Sequence, residues 1–202
     1  PTLARAQNAA EGELATTITR LESALGARIG IFVHDSGSGW ALGYRETERF
    51  LMASTFRSLL CGAVLAGIDQ GTLRLDEPVL VRGEEVRGRA PVTEGRVGES
   101  LAIDTLCLAT LDQSDNGAAN LLVDRLGGPQ AVTAFLRSIG DDTTRLDRKE
   151  PDLNLFVPGD PRDTTSPRAI ALSWRNLLIG EALSPQSRAL LTEWMSLGGV
   201  TG

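Results

Sequence analysis

Histidine is almost missing from this chain. There is one, His34, in 202 residues, and there are only two cysteines, Cys61 and Cys107. That set cannot assemble a zinc site from His and Cys ligands, and the cysteines form no C-x-x-C pair. They are either two buried thiols or one disulfide joining distant segments in an oxidising compartment. Positive charge is in deficit. Twenty Lys and Arg against 26 Asp and Glu leave a net charge of −6, and no basic run reverses it, which argues against a nucleic-acid binder that tracks phosphates. No apolar stretch approaches the length of a membrane span. The first residues, Pro1-Thr2-Leu3-Ala4-Arg5, lack the charged-then-apolar pattern of a signal peptide, which fits a cytosolic protein or a mature exported one. Repeats and low-complexity segments are absent too.

What is present is an ordinary globular composition in a chain long enough to bury a real core, as one large domain or two small ones. Leu14, Ile18, Leu21 and Leu25 share one helical face, so an amphipathic helix is expected over 12–25, closed by Gly26. Residues 28–35 and 40–45 read as strands joined by the turn Ser36-Gly37-Ser38-Gly39. Ser54 stands where it would cap a helix running to Gln70, with Gly71 as the stop. Residues 72–100 read as irregular. Helices are expected near 103–111, 116–126, 129–139, 167–179 and 185–195, three of them opened by Pro129, Pro167 and Pro185. A long loop, 143–166, carries Arg148, Glu150, Asp152, Asp160, Arg162 and Asp163, and a loop of that length in a compact domain is usually functional. A two-stranded hairpin with one helix cannot bury its own face, so the sheet is expected to need further strands, which nothing after Trp194 supplies.

Three stretches carry chemistry. In Ser54-Thr55-Phe56-Arg57, a serine at a helix start lies beside free amides where the dipole favours negative charge, and residue 57 returns to the same face. Alone, such a serine is most often only a cap. Ser114-Asp115-Asn116 is a helix-capping turn, but it also offers a hydroxyl to relay a proton and an amide to hold a carbonyl. In 148–154, Glu150 and Asn154 sit four apart on a turn, spaced to hold one water against an ester; a solvated charged loop is the commoner fate of such a run.

Together with their flanks, "FLMASTFRSLLCGAVL", "LDQSDNGAANLLVDRLGG" and "RLDRKEPDLNLFVPGDPRDTTSP" resemble the class A serine β-lactamases over nearly the whole chain. The resemblance implies that Ser54 is the nucleophile of the S-x-x-K motif and forms an acyl-enzyme, its backbone N–H supplying half of the oxyanion hole. It implies that Glu150 activates the deacylating water with Asn154 as its partner, that Ser114 passes a proton to the leaving nitrogen, and that Asn116 binds the substrate's side-chain amide. Arg148 and Asp163 match the pair that closes the neck of the loop. Cys61 and Cys107 match a disulfide found in some members, which implies a periplasmic or secreted location. The substrate implied is a small-molecule β-lactam, with no cofactor, metal, nucleic acid or membrane span, and a monomer is expected.

The implied fold is α/β in two parts, that of serine β-lactamases and penicillin-binding proteins: an antiparallel sheet flanked by helices, plus an all-helical domain. Here 1–52 would be the N-terminal part of the α/β domain, 53–196 the helical domain with its loop 143–166, and 197–202 the return. The C-terminal strands and the family's K-T-G triad are not among the 202 residues, so the polypeptide is expected to continue. Arg57 stands where the family has lysine. Lysine can give up a proton when buried and arginine cannot, so Arg57 is expected to pair with Glu150 or crowd Ser54 and to depress turnover. Lys149 replaces a frequent aromatic and, on a solvent-facing loop, receives little weight. Arg89 is expected near the cleft mouth. The rivals are a penicillin-binding transpeptidase or carboxypeptidase, against which Glu150 and Asn154 argue, and an inert relative that senses β-lactams.

Overall fold

The computed structural model describes residues 2–197, with side chains from Glu11 onward. Helix α1 (Thr2–Leu25) leads into an antiparallel hairpin of β1 (Ile31–His34) and β2 (Ala41–Tyr44) and a two-residue strand β3 (Phe50–Leu51). A 3-10 turn, Ala53–Thr55, runs directly into α2 (Phe56–Asp69). Strands β4 (Pro78–Leu80) and β5 (Ser100–Ala102) precede α3 (Ile103–Asp112), α4 (Asn116–Leu126) and α5 (Pro129–Ser138). After the long loop come β6 (Thr164–Thr165), α6 (Pro167–Leu178) and α7 (Pro185–Met195).

The helices start where their chemistry directs. Pro167 and Pro185 occupy first-turn positions, and the preceding serines cap: Ser166 Oγ accepts from the Ala169 amide and Ser184 Oγ from the Ser187 amide, both at 3.2 Å. Gly127 ends α4 at φ +102°, a left-handed position open to glycine without steric cost. Helix α1 begins ten residues before the expected start, because 2–11 is rich in Ala, Leu, Arg and Gln, strong helix formers that extend the periodic stretch backward. Residues 72–100 depart from the irregular reading in three places, one of them a 3-10 turn at Glu94–Arg96. Strands β4 and β5 pair antiparallel, Val79 opposite Leu101, and a turn of 3-10 helix covers Gly83–Glu85. Three-residue strands paired across twenty residues leave no alternation to read.

Helix α2 is the axis of the molecule. Residues 56–67 are buried on every side, and α3, α4, α5, α6 and α7 all pack against it. Its core side chains Leu59, Leu60, Val64 and Leu65 are each at most 1% exposed, worth about 1.5–3 kcal/mol apiece in transfer from water. Close packing is built in at Gly62, where a Cβ would stand 2.9 Å from Leu177 of α6. Trp174 of the same helix donates its indole N–H to Ser58 Oγ at 2.8 Å. At the far end of α2, Asp69 accepts from the Ser184 amide, Ser184 Oγ and Ser187 Oγ at 2.6–2.8 Å, fastening α7.

The N-terminal hairpin meets the helices through α6, which lies on β1. Strand β3 pairs with β6, Phe50 opposite Thr165, so the segment entering α2 is tied to the end of the long loop. The Met52 amide adds a hydrogen bond to the Asp163 carbonyl at 3.0 Å. Apart from Leu197, the expected return over 197–202 lies outside the described residues.

Candidate active site

Ser54 does not cap α2. It sits inside the 3-10 turn Ala53–Thr55 that runs into α2, and no side-chain cap hydrogen bond forms there. Its hydroxyl is therefore left exposed at the mouth of a buried helix. Ala53, just before it, is held at φ +44°, an unusual conformation for a residue with a Cβ and one typical of strain at a working site. Ser54 Oγ lies 3.4 Å from Ser114 Oγ, sixty residues along the chain.

Ser114 is also left-handed, at φ +54°. What holds it there is Asp115, a residue the sequence offered only as the middle of a motif. Asp115 is fully buried, and its carboxylate accepts from the Val92 and Thr93 amides, Thr93 Oγ1 and the Ala118 amide at 2.7–2.9 Å. A single carboxylate thus caps α4 and fastens the 90–93 segment, which fixes where its two neighbours point. Next to it, the Asn116 amide donates to the Arg89 carbonyl at 2.8 Å. Arg89 itself is exposed, its Nε 3.3 Å from the Gln113 carbonyl.

Arg57 is the centre of the site. It is 3% exposed, and its guanidinium donates to Glu150 Oε1 at 2.7 Å, to Asn116 Oδ1 at 2.6 Å and to the Asp115 carbonyl at 2.9 Å. Its Nε is buried without a hydrogen-bond partner. Of the two expectations for this side chain, pairing with Glu150 is the one the structure realises.

Glu150 is 2% exposed, and both carboxylate oxygens are engaged: Oε1 with Arg57 and Oε2 with Asn154 Nδ2 at 2.8 Å. Burial pushes the Glu150 carboxyl above the ordinary glutamate range, opposed by the Arg57 charge and the Asn154 hydrogen bond. Burial likewise lowers the Arg57 pKa, opposed by Glu150 and Asp115, but an arginine still keeps its proton at any working pH. The two side chains thus meet as a buried pair, 2.7 Å apart.

Asn120 is a second residue the sequence reading passed over. From α4 its side chain accepts from the Glu150 amide at 2.9 Å and donates to the Glu150 carbonyl at 3.0 Å, gripping the loop backbone beside the carboxylate. The only advance signal was its place one turn after Asn116. Arg148 and Asp163 meet where the two ends of the loop come together. Arg148 Nε meets Asp163 Oδ2 at 2.5 Å, and the other Asp163 oxygen accepts from the Asp147 and Arg148 amides at 2.7 and 2.9 Å.

Cys61 and Cys107 are side by side in the core but unbonded. Both are free thiols, and Cys61 Sγ lies 3.9 Å from the Cys107 carbonyl oxygen. The paired-disulfide expectation is thus met in proximity and not in bonding. Burial holds the Cys107 thiol well above its ordinary pKa, so in this state it is a poor nucleophile. Lys149 corrects an expectation outright. It is only half-buried, but it is not a free loop charge: its ammonium contacts Glu85 Oε2 at 2.6 Å and Asp124 Oδ1 at 3.0 Å.

The chain is similar to known proteins over most of its length. The beta-lactamase enzyme family model matches residues 13–199. A beta-lactamase of Rhodobacter capsulatus is 53% identical over 189 residues, covering 94% of this chain and 64% of that protein. One from Stenotrophomonas maltophilia is 46% identical over 181 residues, covering 90% of this chain and 60% of that protein. The chain thus spans about three-fifths of the length of the curated relatives it matches. Among solved structures, a variant of the reconstructed class A beta-lactamase of the last common ancestor of Gram-negative bacteria superposes with a TM-score of 0.90 at 51% identity, covering 94% of this chain and 71% of that one. A beta-lactamase of Xanthomonas campestris gives 0.88 at 49%, covering 92% and 69%. The fold is accordingly that of class A beta-lactamases, α/β with a helical domain.

Proposed function

The chain belongs to the beta-lactamase enzyme family, class A, and on that premise we propose that it opens β-lactam rings through a serine acyl-enzyme, with turnover held down by Arg57. Ser54 Oγ attacks the lactam carbonyl as its proton passes to Ser114, whose hydroxyl stands 3.4 Å away and gives its own proton to the nitrogen as the C–N bond breaks. The Ser54 amide donates to the developing oxyanion. Asn116 orients the substrate's side-chain amide. In the second half, Glu150 removes a proton from water, assisted by Asn154, as that oxygen bonds the acyl carbon; Ser54 leaves and recovers its proton.

The observation that carries this reading is the set of contacts around Arg57. Its cation joins the elements that bear Ser54, Asn116 and Glu150, at 2.6–2.7 Å from the last two. A lysine there could shed a proton and take it back. Arginine cannot, and it occupies one oxygen of the base that deacylation needs. Acyl-enzyme should therefore outlast the free enzyme during reaction. The same occupancy favours a second reading, in which the adduct never clears and the protein acts as a β-lactam trap. Domains of 1–52 and 53–196 with the cleft between them, a monomeric state, and export to an oxidising compartment where Cys61 and Cys107 join complete the proposal. No helix among the described residues is long and apolar enough to cross a membrane.

The test is the intact mass of the protein before and after penicillin. An adduct that appears with Ser54 and is lost with Ser54→Ala supports the chemistry. Decay of that adduct over hours distinguishes the slow enzyme from the trap. No adduct at saturating penicillin overturns both.

A further inference from the structure

Helix α4 holds the Glu150 loop at two levels, and the second level is made of charge. Asn120 grips the backbone of Glu150, and its Nδ2 also donates to the Glu85 carbonyl at 3.0 Å. Asp124, one turn further along the same face, contacts Lys149 Nζ through both oxygens at 3.0 and 3.2 Å. The same ammonium reaches Glu85 Oε2 at 2.6 Å, and Arg82 Nη2 closes the group on Asp124 at 2.6 Å. Two other segments therefore converge on Lys149 of the loop: the last turn of α4 and the 3-10 turn Gly83–Glu85. Glu85 is 7% exposed and Asp124 lies at the negative end of its helix dipole; Lys149 and Arg82 face both, Arg82 standing 3.6 Å from Glu85, and Lys149 is the one carried by the loop.

We infer that Lys149 is a positioning residue for deacylation: its ammonium, clamped between Glu85 and Asp124, fixes the backbone of the neighbouring Glu150 and hence the line along which that carboxylate meets water. The inference rests on the serine hydrolase reading above. Lys149 is one peptide bond from Glu150, so a loop free to slide at position 149 carries the Glu150 carboxylate with it. A displacement of about an ångström at a general base costs orders of magnitude in rate. Ser54, in the 3-10 turn ahead of α2 and 3.4 Å from Ser114 Oγ, makes no contact with this clamp, so acylation is expected to proceed without it.

The experiment compares Lys149→Met, which keeps the length of the side chain without its charge, with Lys149→Arg and the unaltered chain. Penicillin acylation and adduct decay are followed by intact mass, and exchange of the Glu150 amide proton is followed without ligand. The expected result for Lys149→Met is adduct decay slowed about tenfold at an unchanged acylation rate, and faster exchange at Glu150. Lys149→Arg, which retains a cation, should restore decay to within about twofold. Decay and Glu150 exchange both unchanged in Lys149→Met overturn the inference while leaving the enzyme reading intact. A loss of acylation and decay together shows a merely structural role and also overturns it. No adduct in the unaltered chain defeats the enzyme reading, and the Glu150 exchange rate then decides the positioning claim by itself.

Discussion

Replacing Arg57 with lysine tests the proposed mechanism most directly, and the structure sets the size of the effect. The guanidinium makes hydrogen bonds of 2.9, 2.6 and 2.7 Å to the Asp115 carbonyl, Asn116 and Glu150, and leaves Nε buried without a partner. A lysine ammonium is shorter and has three donors in one compact group. It can keep Glu150 and Asn116 but not also the Asp115 carbonyl, a loss of about 1 kcal/mol. It also removes the orphaned Nε, a gain of about 1–3 kcal/mol. These nearly cancel, so the thermal midpoint should move by only a few degrees. The rate should not stay still. A site that regains a proton shuttle and frees its general base should recover a transition-state contact worth ~3–4 kcal/mol, roughly a few hundredfold in hydrolysis. Nitrocefin turnover of Arg57→Lys against the unaltered chain, at matched concentration of acylatable Ser54, reads this directly. An unchanged rate would falsify the assignment of the block to Arg57.

Other outcomes follow from the same contacts. Asp163→Asn breaks a pair whose carboxylate is fully buried and leaves Arg148 partly uncompensated; a loss of about 3–5 kcal/mol is expected by chemical denaturation, with proteolytic nicking between 148 and 163. Asp141 shows how acid should act. Burial works against its charge, but hydrogen bonds from Ser173 Oγ and the Thr144 and Thr143 amides outweigh it and hold its pKa below the ordinary 3.8. A depressed carboxylate stabilises the fold above its unfolded pKa and ceases to do so as pH falls through its folded one. Stability should therefore drop below about pH 3.8, and Asp141→Asn should flatten that limb; an unchanged acid transition in the variant contradicts the assignment. Mild oxidation should join Cys61 to Cys107, 46 residues apart, making the protein two hydrogens lighter and stabilising it by up to about 4 kcal/mol. Two thiols that remain titratable after oxidation and unfolding count against that pairing.

The sequence by itself determined the local elements whose cause is local. The five helices from 103 onward stand within a residue or two of their expected bounds, and in four of them proline, a capping side chain or a terminal glycine acts at the position it occupies. It also singled out Ser54, Arg57, Ser114 and Glu150 as candidates, because their flanks form a long pattern, and the structure brings them within reach of one another. Tertiary structure decided everything that depends on who meets whom. The burial of α2 on all sides, the pairing of β3 with β6 and of β4 with β5, and the hub at Asp115 arise from contacts between residues far apart along the chain. Two choices in particular were beyond the sequence. Arg57 could reach Ser54 or Glu150, and only the position of the loop sends it to the carboxylate. Lys149 reads as a solvated charge until Glu85 and Asp124, brought from two other segments, surround it. Short-range propensity fixes a helix end because the competing groups are neighbours. A long-range ion pair is fixed only when packing has brought both partners out of water to the same place.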